Sequence, residues 1–410
     1  MRTKLKSGLA CLGMAAATLF VLAIILTGKT FAADLGGNCC SDLEERIAEL
    51  EATTARKGNR KVTVTISGQI SKAIVWYDIE DLNDWSVGDN SNSPSYLGVG
   101  GQARIGGSWK AGYVLELGIG GYESKVPGQL GGIGYGHIDG GTDGLYVRRS
   151  YLYIDGDVGK LSVGKLSQAT DEILDANTSN ASVVSTPLSL RPLTGPSIGE
   201  ALDIFDGART EAVRYDSPSF AGFRFSASVT PATFDSTFDT DGVVWDAAVR
   251  YANDFGQIRV AAAAGYRDGV VIPTDELLGA INVGATLGDV QVISGSASIM
   301  HMPTGFFVTG AAGQLDFSDW AAGAPELKGW SLQGGVEEKW GSLGRTTLFV
   351  EHGRWDLGGG TEPLYWGGGV VQAIDAAAME LYVNGRKYDF DGLLGITDAT
   401  VVSGGARVRF

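Results

Sequence analysis

Along most of the chain, apolar and polar residues alternate with a period of two. Val62, Val64, Ile66, Gly68, Ile70, Ile74 and Trp76 share one parity, and Thr63, Thr65, Ser67, Gln69 and Ser71 share the other. Successive side chains of a strand point to opposite faces, so this pattern predicts a strand with one apolar and one polar face. Lys72 interrupts the apolar face and marks a bulge or an interfacial position there. The alternation recurs with Leu97, Val99, Ala103, Ile105 and Trp109 against Gly98, Gln102, Arg104 and Ser108, then with Tyr113, Leu115, Leu117 and Ile119 against Glu116. It returns in Phe223–Val229, in Trp245–Tyr251, where Asp246 and Arg250 take the polar face, and in Ile258–Tyr266. The last run sets Val402, Gly404, Ala406, Val408 and Phe410 against Ser403, Arg407 and Arg409. Residues 268–280 and 356–376 read as loops, and the register near Ile293 and Leu348 stays open.

One segment has a helical pattern instead. In residues 41–54, Leu43, Ile47 and Leu50 form one apolar seam, with Ser41 and Glu44 spaced as a capping box. The segment is too short for a stable isolated coil. It either trimerises within a larger assembly or lies as a surface helix at the mouth of the strand domain. Arg56, Lys57, Arg60 and Lys61 follow as a basic linker.

Composition narrows the fold class. Charged residues are 19% and apolar residues 44%, with mean hydropathy near zero at +0.06. A helical membrane protein would be far more apolar. There are 61 glycines and only 11 prolines, and the small residues sit inside aromatic and β-branched runs. Strands facing lipid on one side and water on the other read this way. At roughly 20–24 residues per strand with its turn, residues 61–410 fit about 16 strands. The expected fold is all-β, a transmembrane antiparallel β-barrel with both termini at the periplasmic end. A net charge of −15 disfavours nucleic acid, which needs a basic footprint.

Residues 1–32 read as a secretory signal. Arg2, Lys4 and Lys6 precede an apolar stretch from about Leu9 to Leu26, and cleavage after Ala32 places Thr30 at the −3 position. Residues 33–60 then form an N-terminal periplasmic segment, and 61–410 the barrel. Cys11 lies in the leader. Cys39 and Cys40 are adjacent, cannot easily bridge each other, and either link subunits or stay as thiols in a tail. His137, His301 and His352 sit in no nucleophile or metal motif, so neither an enzyme nor a cofactor is expected. Two Trp-Asp pairs, at 245 and 355, lack the fixed period of a propeller.

Three stretches carry a family resemblance: T-I-S-G-Q-I at 65–70, Y-V-R-R-S-Y-L-Y-I-D-G-D-V-G-K-L-S-V-G-K at 146–165, and R-T-E-A-V-R-Y-D-S-P-S-F-A-G-F at 209–223. In this order, behind a signal peptide and ahead of a terminal Phe410, the chain resembles the general outer-membrane porins of alphaproteobacteria. The C-C-S-D-L-E-E-R-I-A-E-L-E segment resembles a leader in some of them. The resemblance implies a homotrimer in outer-membrane lipid, passing small hydrophilic solutes and ions passively through a water-filled pore. It also implies an inward-folded third loop, here about Ser167 to Asp206, whose acids Asp171, Glu172 and Asp175 face Arg104, Arg148 and Arg209 on strands two, four and six. Glu200, Asp203 and Asp206 are further acids of that loop. Parity independently places Arg104 on the polar face. It sets Arg148 opposite Tyr151 and Tyr153, hence inward, and Arg149 outward. Gln69 stands where the family often has a lysine. The alternative is a substrate-specific channel for a sugar, phosphate or other small anion. Inward aromatics, which would favour it, read as scattered at Tyr77, Tyr96 and Tyr146.

Overall fold

The computed structural model describes residues 62–79, 82–90, 92–119, 145–184, 205–231, 243–271, 288–317, 326–391 and 397–410. The expected signal, helix 41–54 and both mature cysteines lie outside them. The described residues form one antiparallel sheet that closes on itself: β1 (Thr63–Ile79), β2 (Leu82–Asp89), β3 (Tyr96–Gly106), β4 (Trp109–Ile119), β5 (Leu145–Gly156), β6 (Gly159–Ser167), β7 (Arg209–Asp216), β8 (Phe223–Pro231), β9 (Val243–Phe255), β10 (Ile258–Val271), β11 (Gly288–His301), β12 (Phe306–Asp316), β13 (Leu327–Glu338), β14 (Thr346–Asp356), β15 (Leu364–Ile374), β16 (Met379–Asp389) and β17 (Asp398–Arg409). Closure is the β1–β17 pairing, extended by reciprocal backbone bonds between Gly68 and Phe410.

These 17 segments make a barrel of 16 wall strands. The upper part of β1 pairs with β2 (Lys72 opposite Asp89), and its lower part pairs with β3 (Thr63 opposite Gln102). β2 and β3 are therefore one wall strand interrupted around residues 90–95. Two-to-seven-residue turns join strands at one end, as at Gly256–Gln257 and 302–305, and the connections at the other end are mostly longer, apart from those of two residues between β1 and β2 and seven between β14 and β15. Short turns mark the periplasmic end in this barrel class.

The alternation sorts as expected. Ile66, Ile74, Leu152, Phe225 and Val350 are 58–69% exposed on the outer wall, while Gln69, Ser71, Ser226, Ser228 and Asp246 are buried on the inner one. Ile293 and Leu348, whose register the sequence left open, face outward.

Two expectations are corrected. Residues 364–374 form β15, not loop, and 268–271 complete β10. The Gly367-Gly368-Gly369 run within β15 makes room on the wall. The buried Arg386 of β16 reaches across β15 to Glu351 of β14 (Nε–Oε1 2.6 Å), and a Cβ at Gly367 would sit 2.6 Å from Arg386 Cγ and 2.9 Å from Glu351 Oε1. Gly367→Val is expected to lower barrel stability by about 1–3 kcal/mol through overpacking. Heat-modifiable migration on gels measures this as a lower unfolding temperature.

The second correction is Arg149. A β-bulge between β4 and β5 pairs Glu116 with Arg149 but Leu117 with Val147. The extra residue flips the parity of everything after it. Leu145 and Val147 face out before the bulge, Leu152 and Ile154 after it, and Arg148 and Arg149 both reach the inward-facing Glu116. Tyr153 then lies on the inner face over Gly112, not opposite Arg148.

The inner aromatics also prove contiguous. Trp355, Tyr365, Tyr388 and Phe390 stand in a row with ring centroids 5.4–5.7 Å apart, and all are at most 1% exposed. With Tyr77, Ile79, Leu315, Phe317 and Leu327 they form an apolar belt on the inner wall toward the long-loop end.

Candidate functional site

The connection from β6 to β7 is described over 168–184 and 205–208, and inward side chains of the wall hold it. Its backbone carries polar groups that need partners. Arg214 of β7 donates through Nη1 to the carbonyls of Ser167 and Gln168 (both 3.0 Å). Arg250 of β9 donates to the carbonyls of Ala169 (2.9 Å) and Asp171 (2.7 Å). The buried Asp246 carboxylate accepts from the N–H of Thr170 (2.6 Å), its Oγ1 (2.7 Å) and Ser228 Oγ. Farther along, the Ala176 and Thr178 N–H groups donate to Ser296 and Ser298 of β11 (3.0 and 3.1 Å), and that of Asn180 to Glu337 of β13 (2.6 Å).

The far end of this segment meets the break between β2 and β3. Asn90 and Asn92 donate to the carbonyls of Val183 (3.0 Å) and Ser182 (2.6 Å), at a short 3-10 helix over Asn180–Val183. Gln69 steadies that break: its Nε2 donates to Ser93 Oγ (2.9 Å) and to the Pro94 carbonyl (2.8 Å). Arg267 of β10 holds the return of the chain by donating to the Asp206 carbonyl (2.6 Å).

Where this segment leaves β6, charges of both signs converge. Arg148 Nε donates to Glu116 Oε1 at 2.6 Å, and its guanidinium lies 5.2 Å from the Tyr96 ring centroid. Arg149 lies 3.7 Å from Glu116 Oε2, donates to Ser167 Oγ (3.0 Å) and approaches Glu172 Oε1 at 3.6 Å. Arg209, the first residue of β7, approaches the same Glu172 oxygen at 3.3 Å and Asp171 Oδ2 at 3.7 Å. Glu172 thus sits between two arginines. Its side chain is 55% exposed while the others of the cluster are 8–27% exposed, so it is the member most open to water. Its φ of 62° is a left-handed conformation that non-glycine residues seldom adopt.

Of the residues expected from sequence, Arg148, Arg209, Asp171 and Glu172 come together. Asp175 lies in the same turn, its N–H donating to the Glu172 carbonyl (3.4 Å). Gln69 sits at the strand break. Arg104 pairs with Lys110 near the β3–β4 turn, six residues along β4 from Glu116, or about 20 Å at the usual strand rise. Sequence reading missed Arg149 and Glu116 as partners, and the anchoring roles of Asp246, Arg214 and Arg250. For Arg149 a signal existed: outward apolar residues are even-numbered after the bulge and odd-numbered before it.

Residues 18–393 match the model of the Gram-negative porin family. A chitoporin of Vibrio furnissii is 27% identical over 203 residues, 48% of this chain and 47% of that protein, so the match spans about half the length of that relative. Among solved structures, the fold is similar to an anion-selective porin from Comamonas acidovorans, with TM-score 0.60 and 18% identity over 85% of this chain and 100% of that one. It is also similar to the trimer form of OmpT from Vibrio cholerae, with TM-score 0.53 and 17% identity over 85% of this chain and 99% of that one. With a family match over most of its length and a closed antiparallel barrel whose apolar residues face outward, the chain is an outer-membrane β-barrel that belongs to the Gram-negative porin family.

Proposed function

We propose that the barrel is a water-filled channel for passive diffusion of small hydrophilic solutes and ions, narrowed where segment 168–184 folds inward against the arginines of β5 and β7. The observation that carries this reading is the Arg148–Arg149–Arg209 group facing Glu116, Asp171 and Glu172 at the root of that segment. Basic and acidic groups across an aqueous passage select ions by charge and orient dipolar solutes. In this reading Asp175 belongs to the acidic side, Gln69 braces the wall, and Arg104 adds positive charge at the periplasmic mouth. Glu172→Gln is expected to shift the reversal potential in a salt gradient toward anion selectivity. Glu172 is exposed, and Arg149 and Arg209 keep their contacts to Glu116, Ser167 and Asp171 without it, so folding should be unaffected. An unmoved reversal potential would remove Glu172 from the conducting path.

A general pore is favoured over a sugar-specific one, despite the partial likeness to a chitoporin. The aromatic row at Trp355–Phe390 is buried and offers no ring face to a passing solute.

The homotrimer belongs to the same proposal. Lys72 faces outward near the middle of β1, 47% exposed, between Ile70 and Ile74, with its amine on Asp89. A lysine in lipid at the bilayer midplane costs about 2–4 kcal/mol. Cover by a neighbouring barrel over β1–β3 removes that cost. Lys72→Glu, which sets two acids side by side on this face, should convert a cross-linked trimer ladder to monomer; an unchanged ladder would place the contact elsewhere.

A further inference from the structure

The outer wall carries a groove of about 690 Å³ near the periplasmic end, over β10–β15. Its floor is Gly334 of β13, an outward position whose partners Val308 and Val350 stand on either side of it. Phe306, Ile299 and Leu348 complete the walls, and these five flanking side chains are 41–69% exposed. The volume lies within the usual range of ligand sites. A Cβ at Gly334 would meet only the Phe307 carbonyl oxygen, at 3.8 Å, so the trough exists because a side chain is missing and not because the backbone demands glycine. Phe306 is the first residue after the 302–305 turn, which puts the groove in the leaflet nearer the periplasm. Its polar lining residue, His301, sits at that turn, with Nδ1 against Thr304 Oγ1 (2.8 Å).

We infer that this groove binds one acyl chain of a phospholipid from the periplasmic-side leaflet of the outer membrane. Three observations select that occupant. The groove is continuous with the apolar wall that faces the bilayer. Its apolar length and single polar end match an amphiphile whose headgroup lies at the level of the periplasmic turns. And its floor strand, β13, lies five strands around the closed wall from β1, off the β1–β3 surface proposed to contact a second copy. Annular lipid slides along a smooth wall; a chain seated between Val308 and Val350 exchanges more slowly because it also loses contact with the trough sides.

The test is native mass spectrometry of the detergent-solubilised protein mixed with palmitoyl-oleoyl phosphatidylethanolamine, with lipopolysaccharide in a parallel arm. The wild-type protein should retain one phosphatidylethanolamine per chain at activation energies that strip the detergent. Gly334→Leu fills the trough and should lower that retention at least tenfold, with folding and single-channel conductance unchanged, since the added side chain meets open space and lies outside the lumen. Equal retention by both proteins would reduce the effect to annular lipid and overturn the proposal. So would no retained lipid in the wild type, retention of lipopolysaccharide in preference, or a change of oligomeric state in Gly334→Leu, the last of which would assign the groove to a protein contact.

Discussion

Replacing Arg148 and Arg149 together by glutamine is expected to turn the channel strongly toward cations, changing the permeability ratio by at least about threefold. The bulge between β4 and β5 brings both guanidinium groups onto the inner face, and both reach Glu116. Removing one leaves the other to hold that carboxylate, so each single variant should show a much smaller shift. Removing both leaves Glu116, Asp171 and Glu172 with Arg209 alone, and the local balance becomes negative. Arginine serves here because its guanidinium stays charged and donates in several directions at once. Screening over about 8 Å at physiological ionic strength weakens exposed surface charges more than charges lining a narrow passage. The shift should therefore persist at moderate salt. Arg104→Gln, about 20 Å lower by strand rise, should move the reversal potential less and lose its effect sooner as salt rises. Equal responses from Arg104→Gln and the double variant would spread the selectivity along the lumen.

The second large effect is expected from Asp246→Ala. This carboxylate is 1% exposed and holds the root of segment 168–184 through Thr170 N–H and Oγ1. Its loss strands buried donors, at about 1–3 kcal/mol for each one left unsatisfied. Arg250→Ala removes the neighbouring bonds to the carbonyls of Ala169 and Asp171 and should act in the same direction. If the segment narrows the lumen, freeing its root should raise single-channel conductance by tens of per cent, increase open-channel noise and admit larger neutral sugars in liposome-swelling assays. Unchanged conductance with wild-type noise in both variants would show that this segment does not limit flow.

The parts of this architecture that follow local alternation were legible in the sequence. β1, β8, β9, β10 and β17 could each be sorted into faces because the period of two runs through them, broken in β1 only at Lys72. Departures from that period were not. The bulge at Arg148 adds one residue and reverses the face of the next, which placed Arg149 on the wrong side until the opposite pairing with Glu116 was known. The break between β2 and β3 is set by partners distant in sequence: Asn90 and Asn92 bind carbonyls of residues 183 and 182. β15 was hidden because its glycines serve side chains on other strands, as Gly367 does for Arg386 and Glu351. At the site, charge and residue type were readable, but the anchoring roles were not. Asp246 and Arg250 were placed on the polar face by parity, yet their partners are backbone groups of a connection some 80 residues away.

The most direct measurement is the conductance of the purified protein in planar bilayers. A passive aqueous pore predicts discrete steps of equal size that scale nearly in proportion to bulk potassium chloride, with an ohmic current–voltage relation at low voltage and no block by millimolar sugars. Steps that saturate with salt and close on addition of one sugar or phosphate would contradict the account and make the barrel a substrate-specific channel.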